Sequence, residues 1–218
     1  MSLRLSLFLS VVLSSPLWAA DWEKWQGCRL ATSEYFDGDS FHVSKSGQKR
    51  IFRLYAVDTA ETDDKFPDRV AEQQKYFGAT KEEVLAEGEN AEEFTRRLLQ
   101  NPFTVETQWI DAKGNSHQQR FFGKITLSDG SDLGLRLVEA GLARSYGLRL
   151  GLPASYLSKL DQAQASARRS RIGLWGRKSA AMPEDAEKPE PTPARDEDVM
   201  ETQPVFDQLQ RESAAGLQ

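Results

Sequence analysis

Cysteine is nearly absent from this chain. Cys28 is the only one in 218 residues, so an intramolecular disulfide is impossible and clustered thiolate metal sites are excluded. Its position in an apolar stretch fits a small buried residue of a first strand. Histidine is almost as scarce: His42 and His117 stand alone, and neither has the spacing of a zinc ligand set. No glycine-rich loop of the kind that cradles nucleotide phosphates is present. No apolar run reaches the ~20 residues that a membrane-spanning helix needs. The charge balance lacks a basic excess. The formal net charge is -5, yet residues 21–177 carry 23 acids and 23 bases, so the surplus lies in the last forty or so residues. A neutral domain is a poor nonspecific duplex binder, because such binding rests on Lys and Arg contacts to phosphate. Any dealing with nucleic acid has to come from a local site.

The two ends read as separate from the fold. Residues 1–20, MSLRLSLFLSVVLSSPLWAA, have a basic start at Arg4, an apolar centre from Leu5 to Leu13 and a small-residue close at Ala19-Ala20. This is the pattern of a signal peptide, so export to the periplasm or the exterior is expected. Gly27-Cys28 resembles the end of a lipid-attachment site, but Glu23, Lys24 and Trp25 stand where a small apolar run belongs. Residues 178–218 are rich in proline and acids and poor in aromatics. Such a segment is expected to be a disordered, solvated tail; Val205, Phe206 and Leu209 offer a short stripe for an unknown partner.

Between the ends, residues 21–177 are long enough for one stable domain. Trp22 to Gln26 is expected as a lead-in. Cys28 to Phe36 and Ser40 to Ser44 read as strands broken at Asp37-Gly38-Asp39. Gly47 turns the chain into a strand over Arg50 to Val57. In that strand Arg53 shares the period-2 parity of Ile51, Tyr55 and Val57. A charge on such a face is either ion-paired or at an open rim. Helices are expected over Asp68 to Phe77 and from Thr80, where Thr80 and Glu83 form a capping box; Gly88 is expected to interrupt the second. Ala91, Phe94, Leu98 and Leu99 should face the core, and Glu82, Glu83, Glu87, Glu89, Glu92 and Glu93 a solvated side. Phe103 to Ile110 and Phe121 to Leu127 read as strands, with a polar loop around Gly114 between them. Asp129-Gly130 signals a tight turn. Leu133 to Ala140 is a helix stopped by Gly141, Ser155 caps a last helix through Arg171, and Gly173-Leu174-Trp175 closes the domain. The order predicts an α+β fold, a five-stranded Greek-key barrel of the oligonucleotide-binding (OB-fold) kind with helices added.

One stretch concentrates chemistry: Asp37-Gly38-Asp39-Ser40, then Phe52-Arg53-Leu54-Tyr55-Ala56-Val57-Asp58-Thr59-Ala60-Glu61. Later come Gly114, Arg120, Asp129-Gly130, Leu137-Val138-Glu139-Ala140-Gly141-Leu142-Ala143 and Gly173-Leu174-Trp175. As an ordered set this resembles the staphylococcal nuclease (thermonuclease) family, over about Cys28 to Gly176. The resemblance implies a calcium-dependent phosphodiesterase that cuts DNA and RNA and leaves 3′-phosphate and 5′-hydroxyl ends. Carried over by position, it makes Asp39 and Asp58 calcium-ligating carboxylates and Thr59 a carbonyl ligand. Arg53 and Arg120 become the catalytic arginines, Glu61 the catalytic glutamate and Tyr146 a substrate-contacting tyrosine.

The residue types suit those roles. Calcium takes hard oxygen ligands. A guanidinium fork matches phosphate oxygens and keeps its charge, and preorganised donors aimed at developing negative charge are usually the largest catalytic term. The chain departs from the family pattern in three places. Ala60 replaces the usual proline, an insertion at about 66–89 is expected to cover or shape the cleft, and the tyrosine beside Gly114 is missing. The expected protein is a monomeric exported endonuclease acting on single-stranded DNA or RNA. The alternative is a non-catalytic OB-fold module that binds nucleic acid or protein; such modules usually lose the carboxylates or arginines that here remain.

Overall fold

The computed structural model describes residues 22–33, 36–112 and 118–176. The signal segment, the acidic tail, Tyr35, Gly114 and His117 lie outside the described residues.

Alternating apolar residues build the strands. β1 (Glu23–Leu30) is followed by β2 (Ser40–Lys45) and β3 (Gln48–Leu54). Ser46 and Gly47 both take positive φ, the two-residue turn that matches strand twist, and Lys45 pairs with Gln48 across it. β4 (Val57–Thr59) is short. Two helices follow, α1 (Pro67–Phe77) and α2 (Lys81–Leu98), then β5 (Phe103–Thr107) and β6 (Arg120–Thr126). The chain ends with α3 (Leu133–Glu139), β7 (Ala143–Ser145), α4 (Ala154–Arg169) and a 3-10 turn over Gly173–Gly176. Five strands hydrogen-bond in the order β1-β2-β3-β6-β5 and close a barrel through β1 and β5. Among the described strands only the β3–β6 pair is parallel. β4 and β7 form a separate antiparallel ribbon.

The barrel is filled by Phe41, Val43, Phe52, Leu54, Phe103, Val105 and Ile125, all essentially shut off from water. Burial of each is worth about 1.5–3 kcal/mol. Cys28 is buried and donates its thiol to the Trp25 carbonyl at 3.2 Å. α3 presents Leu133, Leu137 and Val138 to the same core. A smaller cluster joins Val70 and Phe77 of α1, Ala79, Val84 of α2 and Leu174, with Trp175 packed on its edge. The closing Gly173-Leu174-Trp175 segment therefore docks on α1 and α2.

Several expectations need correcting. β1 begins at Glu23, so the supposed lead-in is strand, and Trp25 is a core residue. β3 ends at Leu54. Tyr55-Ala56 forms a turn with Ala56 at φ 54°, and the parity through Tyr55 and Val57 breaks there. Phe52 and Leu54 carry the core face, while Arg53 sits on the opposite face. Gly88 does not interrupt α2, which runs on to Leu98. Glu87 is buried, with only 4% of its surface exposed, and is not part of the solvated acidic face. Asn90 donates to its carboxylate at 3.0 Å. Ser155 lies inside α4; Pro153 stands at the cap position, with no side-chain cap. The capping box of Thr80 and Glu83 forms as its sequence requires.

Candidate active site

The site forms where the barrel meets the β4–β7 ribbon and α1. Asp37 starts it by folding the loop before β2. Its Oδ1 accepts the backbone N–H of Asp39 at 3.2 Å and of Ser40 at 2.8 Å. That turn aims Asp39 inward, where its Oδ1 accepts the Ser40 hydroxyl at 2.8 Å and its Oδ2 the Thr59 N–H at 3.3 Å. Burial and the neighbouring Asp39 carboxylate push the Asp37 carboxyl well above the usual range. α2 supports the loop: the buried Thr95 hydroxyl donates to the Gly38 carbonyl at 2.8 Å.

Arg53 leaves β3 on the face away from the barrel interior. Its Nη2 lies 3.1 Å from Asp39 Oδ2 and donates to Asp58 Oδ1 at 2.7 Å. The left-handed turn at Ala56 folds the chain back, so β4 carries Asp58 to the same place. Asp58 is 1% exposed. Burial pushes its carboxyl up, but Arg69, Arg144 and Arg53 override this and hold it down at about 2. Glu61 follows two residues after β4. Burial pushes its carboxyl above the ordinary value, opposed by Arg69 and assisted by Asp58 and Asp39. Its backbone position is fixed by α2. A Cβ at Gly88 would lie 2.1 Å from the Glu61 carbonyl oxygen, so this helix position tolerates only glycine.

Arg120 opens β6 opposite Ile51, with Phe122 opposite Arg53. Arg120 and Arg53 therefore rise from the same barrel face on adjacent strands. Burial and the nearby Arg53 charge lower the Arg120 guanidinium, while Asp39, Asp37 and Asp111 counter them. The fold thus gathers Asp39, Arg53, Asp58, Thr59 and Glu61 and sets Arg120 one strand away. Tyr146 follows β7, 39% exposed, and its ring lies 4.1 Å from the Arg144 guanidinium carbon.

Four further residues complete the site, none of them marked by the sequence motifs. Arg69, Glu72 and Gln73 project from one face of α1. Arg69 Nη2 donates to Asp58 Oδ1 at 2.7 Å and to Glu61 Oε1 at 2.9 Å; its Nε also donates to Glu61 Oε1, at 3.1 Å. Gln73 is fully buried. It donates to the Thr59 carbonyl at 3.0 Å and accepts the Glu61 N–H at 2.9 Å. Arg144 of β7 donates from Nε to Asp58 Oδ2 at 2.9 Å and forks onto Glu72 at 2.6 and 2.7 Å. The only sequence signal was the spacing Arg69, Glu72, Gln73, Tyr76, which places four non-aliphatic side chains on one helix stripe. Arg144 gave no signal, because the ribbon that buries it is three residues long.

Among the described residues no group of three or more His, Cys, Asp or Glu side chains is arranged to hold a metal ion. The oxygen donors at hand are the carboxylates of Asp39 and Asp58 and the carbonyl of Thr59. This set suits a hard cation by chemistry, but each member already accepts a hydrogen bond from the chain.

The family described as staphylococcal nuclease homologue matches residues 51–177, more than half of the chain, and the protein belongs to that family.

Proposed function

We propose that the protein is an exported, calcium-dependent nuclease that hydrolyses phosphodiester bonds of DNA or RNA endonucleolytically. The observation that carries this reading is the convergence of Arg53 with Asp39, Asp58 and Glu61 in one partly open cluster. Strand order and closure support an oligonucleotide-binding barrel, with the site on the β2–β3–β6 side. The leading segment supports export to the periplasm or beyond.

Calcium would be held by Asp39, Asp58 and the Thr59 carbonyl, and when bound it supplies Lewis-acid stabilisation of charge on the phosphate. The other steps belong to the chain. Arg53 and Arg120, rising side by side, grip the scissile phosphate and face the negative charge that grows on its equatorial oxygens. Glu61 orients a water molecule and accepts its proton. Its raised pKa brings it nearer the working pH, which favours proton transfer. The water oxygen bonds to phosphorus, the bond to the 5′ oxygen breaks, and that oxygen takes up a proton. Tyr146, stacked on Arg144, offers a ring against which a base or sugar can rest. Asp37 holds the loop that aims Asp39.

The test is cleavage of single-stranded DNA and RNA with calcium and with chelator, beside Arg53→Ala and Glu61→Ser. The expected result is calcium-dependent cleavage, with each variant losing about a hundredfold or more, the scale for removing one transition-state donor. One observation favours the second reading, a binding module. The Asp58 carboxylate is already satisfied by three arginines, as in a structural ion-pair network. Retained oligonucleotide binding without cleavage by the wild-type protein would select that reading.

A further inference from the structure

Arg69 stands on α1, outside the barrel, yet its contact to the carboxylate at the centre of the site is as short as that of Arg53. Asp58 Oδ1 accepts from Arg53 and from Arg69, each at 2.7 Å, and Asp58 Oδ2 accepts from Arg144 at 2.9 Å. Calcium sits 2.3–2.6 Å from its oxygen ligands. An ion at Asp58 Oδ1 would lie within about 4–5 Å of two guanidinium groups already on that oxygen, where like charges repel strongly in a partly buried site. One of the arginines has to leave.

The surroundings decide which one. The Arg144 side chain is 0% exposed, forked onto Glu72 and layered against the rings of Tyr76 and Tyr146. Arg53 is rooted in a barrel strand and held by Asp39 as well as Asp58. Arg69 is the most exposed of the three, with a third of its side chain open to solvent. One turn along the same helix, Gln73 covers the Thr59 carbonyl. α1 therefore blankets two of the three oxygen donors and ties down Glu61 too.

The geometry points to Arg69 as a built-in cation that competes with calcium, so that metal binding exchanges the Arg69 guanidinium for the ion at Asp58 and loosens α1 over the cleft. This rests on the calcium reading of the site given above. The exchange also releases Glu61 Oε1, so loading the metal and freeing the proton acceptor become one event. Arg69 is a positioning residue here, acting through Asp58 and Glu61.

The experiment is calorimetric titration of the full chain with calcium chloride, without substrate, for the wild type and Arg69→Gln. Hydrogen exchange of the wild-type protein is measured with and without calcium. Arg69→Gln should bind calcium at least about fivefold more tightly, the low end of the usual coupling between two binding events. Calcium should speed amide exchange across residues 67–77 of the wild type. Equal or weaker binding by a folded Arg69→Gln, with the wild type still binding, overturns the inference and leaves the calcium site standing. Unchanged or increased protection of 67–77 in calcium-bound wild type overturns it as well, and decides the matter if the variant does not fold. Absence of calcium binding by both proteins removes the calcium reading and this inference with it.

Discussion

Asp58 and Arg144 are register partners on the β4–β7 ribbon, their side chains joined at 2.9 Å and both closed to water. A carboxylate at the heart of the candidate site is thus also half of a buried structural ion pair. The pair is extended by Glu72 and by Arg69, which tie the ribbon to α1.

Arg144→Met should be the most damaging single substitution in the ribbon. It strands Asp58 Oδ2 and Glu72 and removes the cation beneath Tyr146. Breaking a buried pair from one side costs about 3–5 kcal/mol. Urea unfolding of the wild type and variant, both without calcium, checks this. The double variant Asp58→Asn/Arg144→Met should lose clearly less than the two single losses added together.

Gly88→Ala separates helix propensity from packing. Alanine favours a helix interior over glycine by about 1 kcal/mol. Here its methyl would meet the Glu61 carbonyl oxygen at 2.1 Å, a backbone contact that cannot swing aside. Overpacking of this kind costs about 1–3 kcal/mol, so the net change should be destabilising. Because the displaced group is the Glu61 backbone, the proposed cleavage activity, measured well below the melting temperature, should fall more than stability alone explains.

Thr80→Ala tests the same helix at its far end. The capping box is lost, and stability should drop by about 1 kcal/mol. Thr80 makes no contact with the site, so activity at a temperature where both proteins are folded should be unchanged. Thermal melts beside initial rates distinguish it from Gly88→Ala.

Glu106 supplies a pH test away from the cleft. It pairs with Lys24 at 2.7 Å and Lys124 at 3.2 Å. Burial raises its carboxyl, but these two lysines win and hold it below its ordinary value of 4.5. A carboxyl with a depressed folded pKa stabilises the protein above its unfolded pKa and loses that contribution as the pH falls through the folded value. Glu106→Gln should therefore be less stable than wild type near neutrality, by about 1 kcal/mol, since Lys24 is largely open to solvent while Glu106 and Lys124 are half-buried. The gap should close as the pH falls through the depressed folded value. Denaturation midpoints across pH 3–7 provide the check.

The sequence carried much of this site because the motif residues are local. Asp37 to Ser40 and Phe52 to Glu61 are short segments whose spacing survives folding, and strand pairing brings Ser40 opposite Arg53 directly. Period-2 counting failed in one informative place. Alternation alone carries the strand through Tyr55 to Val57, but the chain turns at Ala56 in a left-handed conformation that alanine rarely adopts. Arg53 therefore shares a strand face with Ile51 but not with Tyr55 and Val57, and it is ion-paired there with Asp39 and Asp58. Glu87 looked like part of a solvated acidic run because charge runs usually are; the packing of α2 against the loop carrying Glu61 buries it. Arg69, Gln73 and Arg144 were illegible for a different reason. Their significance comes from tertiary contacts to Asp58 and Glu61, and no local pattern encodes which distant carboxylate a surface-looking arginine will reach.

The β4–β7 ribbon also dates the site within the life of the chain. Asp58 is made early, but its buried partner Arg144 lies 86 positions later. The barrel cannot close until β5 and β6 are present. A nascent chain, or a proteolytic fragment ending before residue 143, has the carboxylates and arginines of the motifs but lacks the strand that pairs with β4 and closes Asp58 off from water. The buried Asp58–Arg144 pair is therefore completed only when nearly the whole domain has emerged.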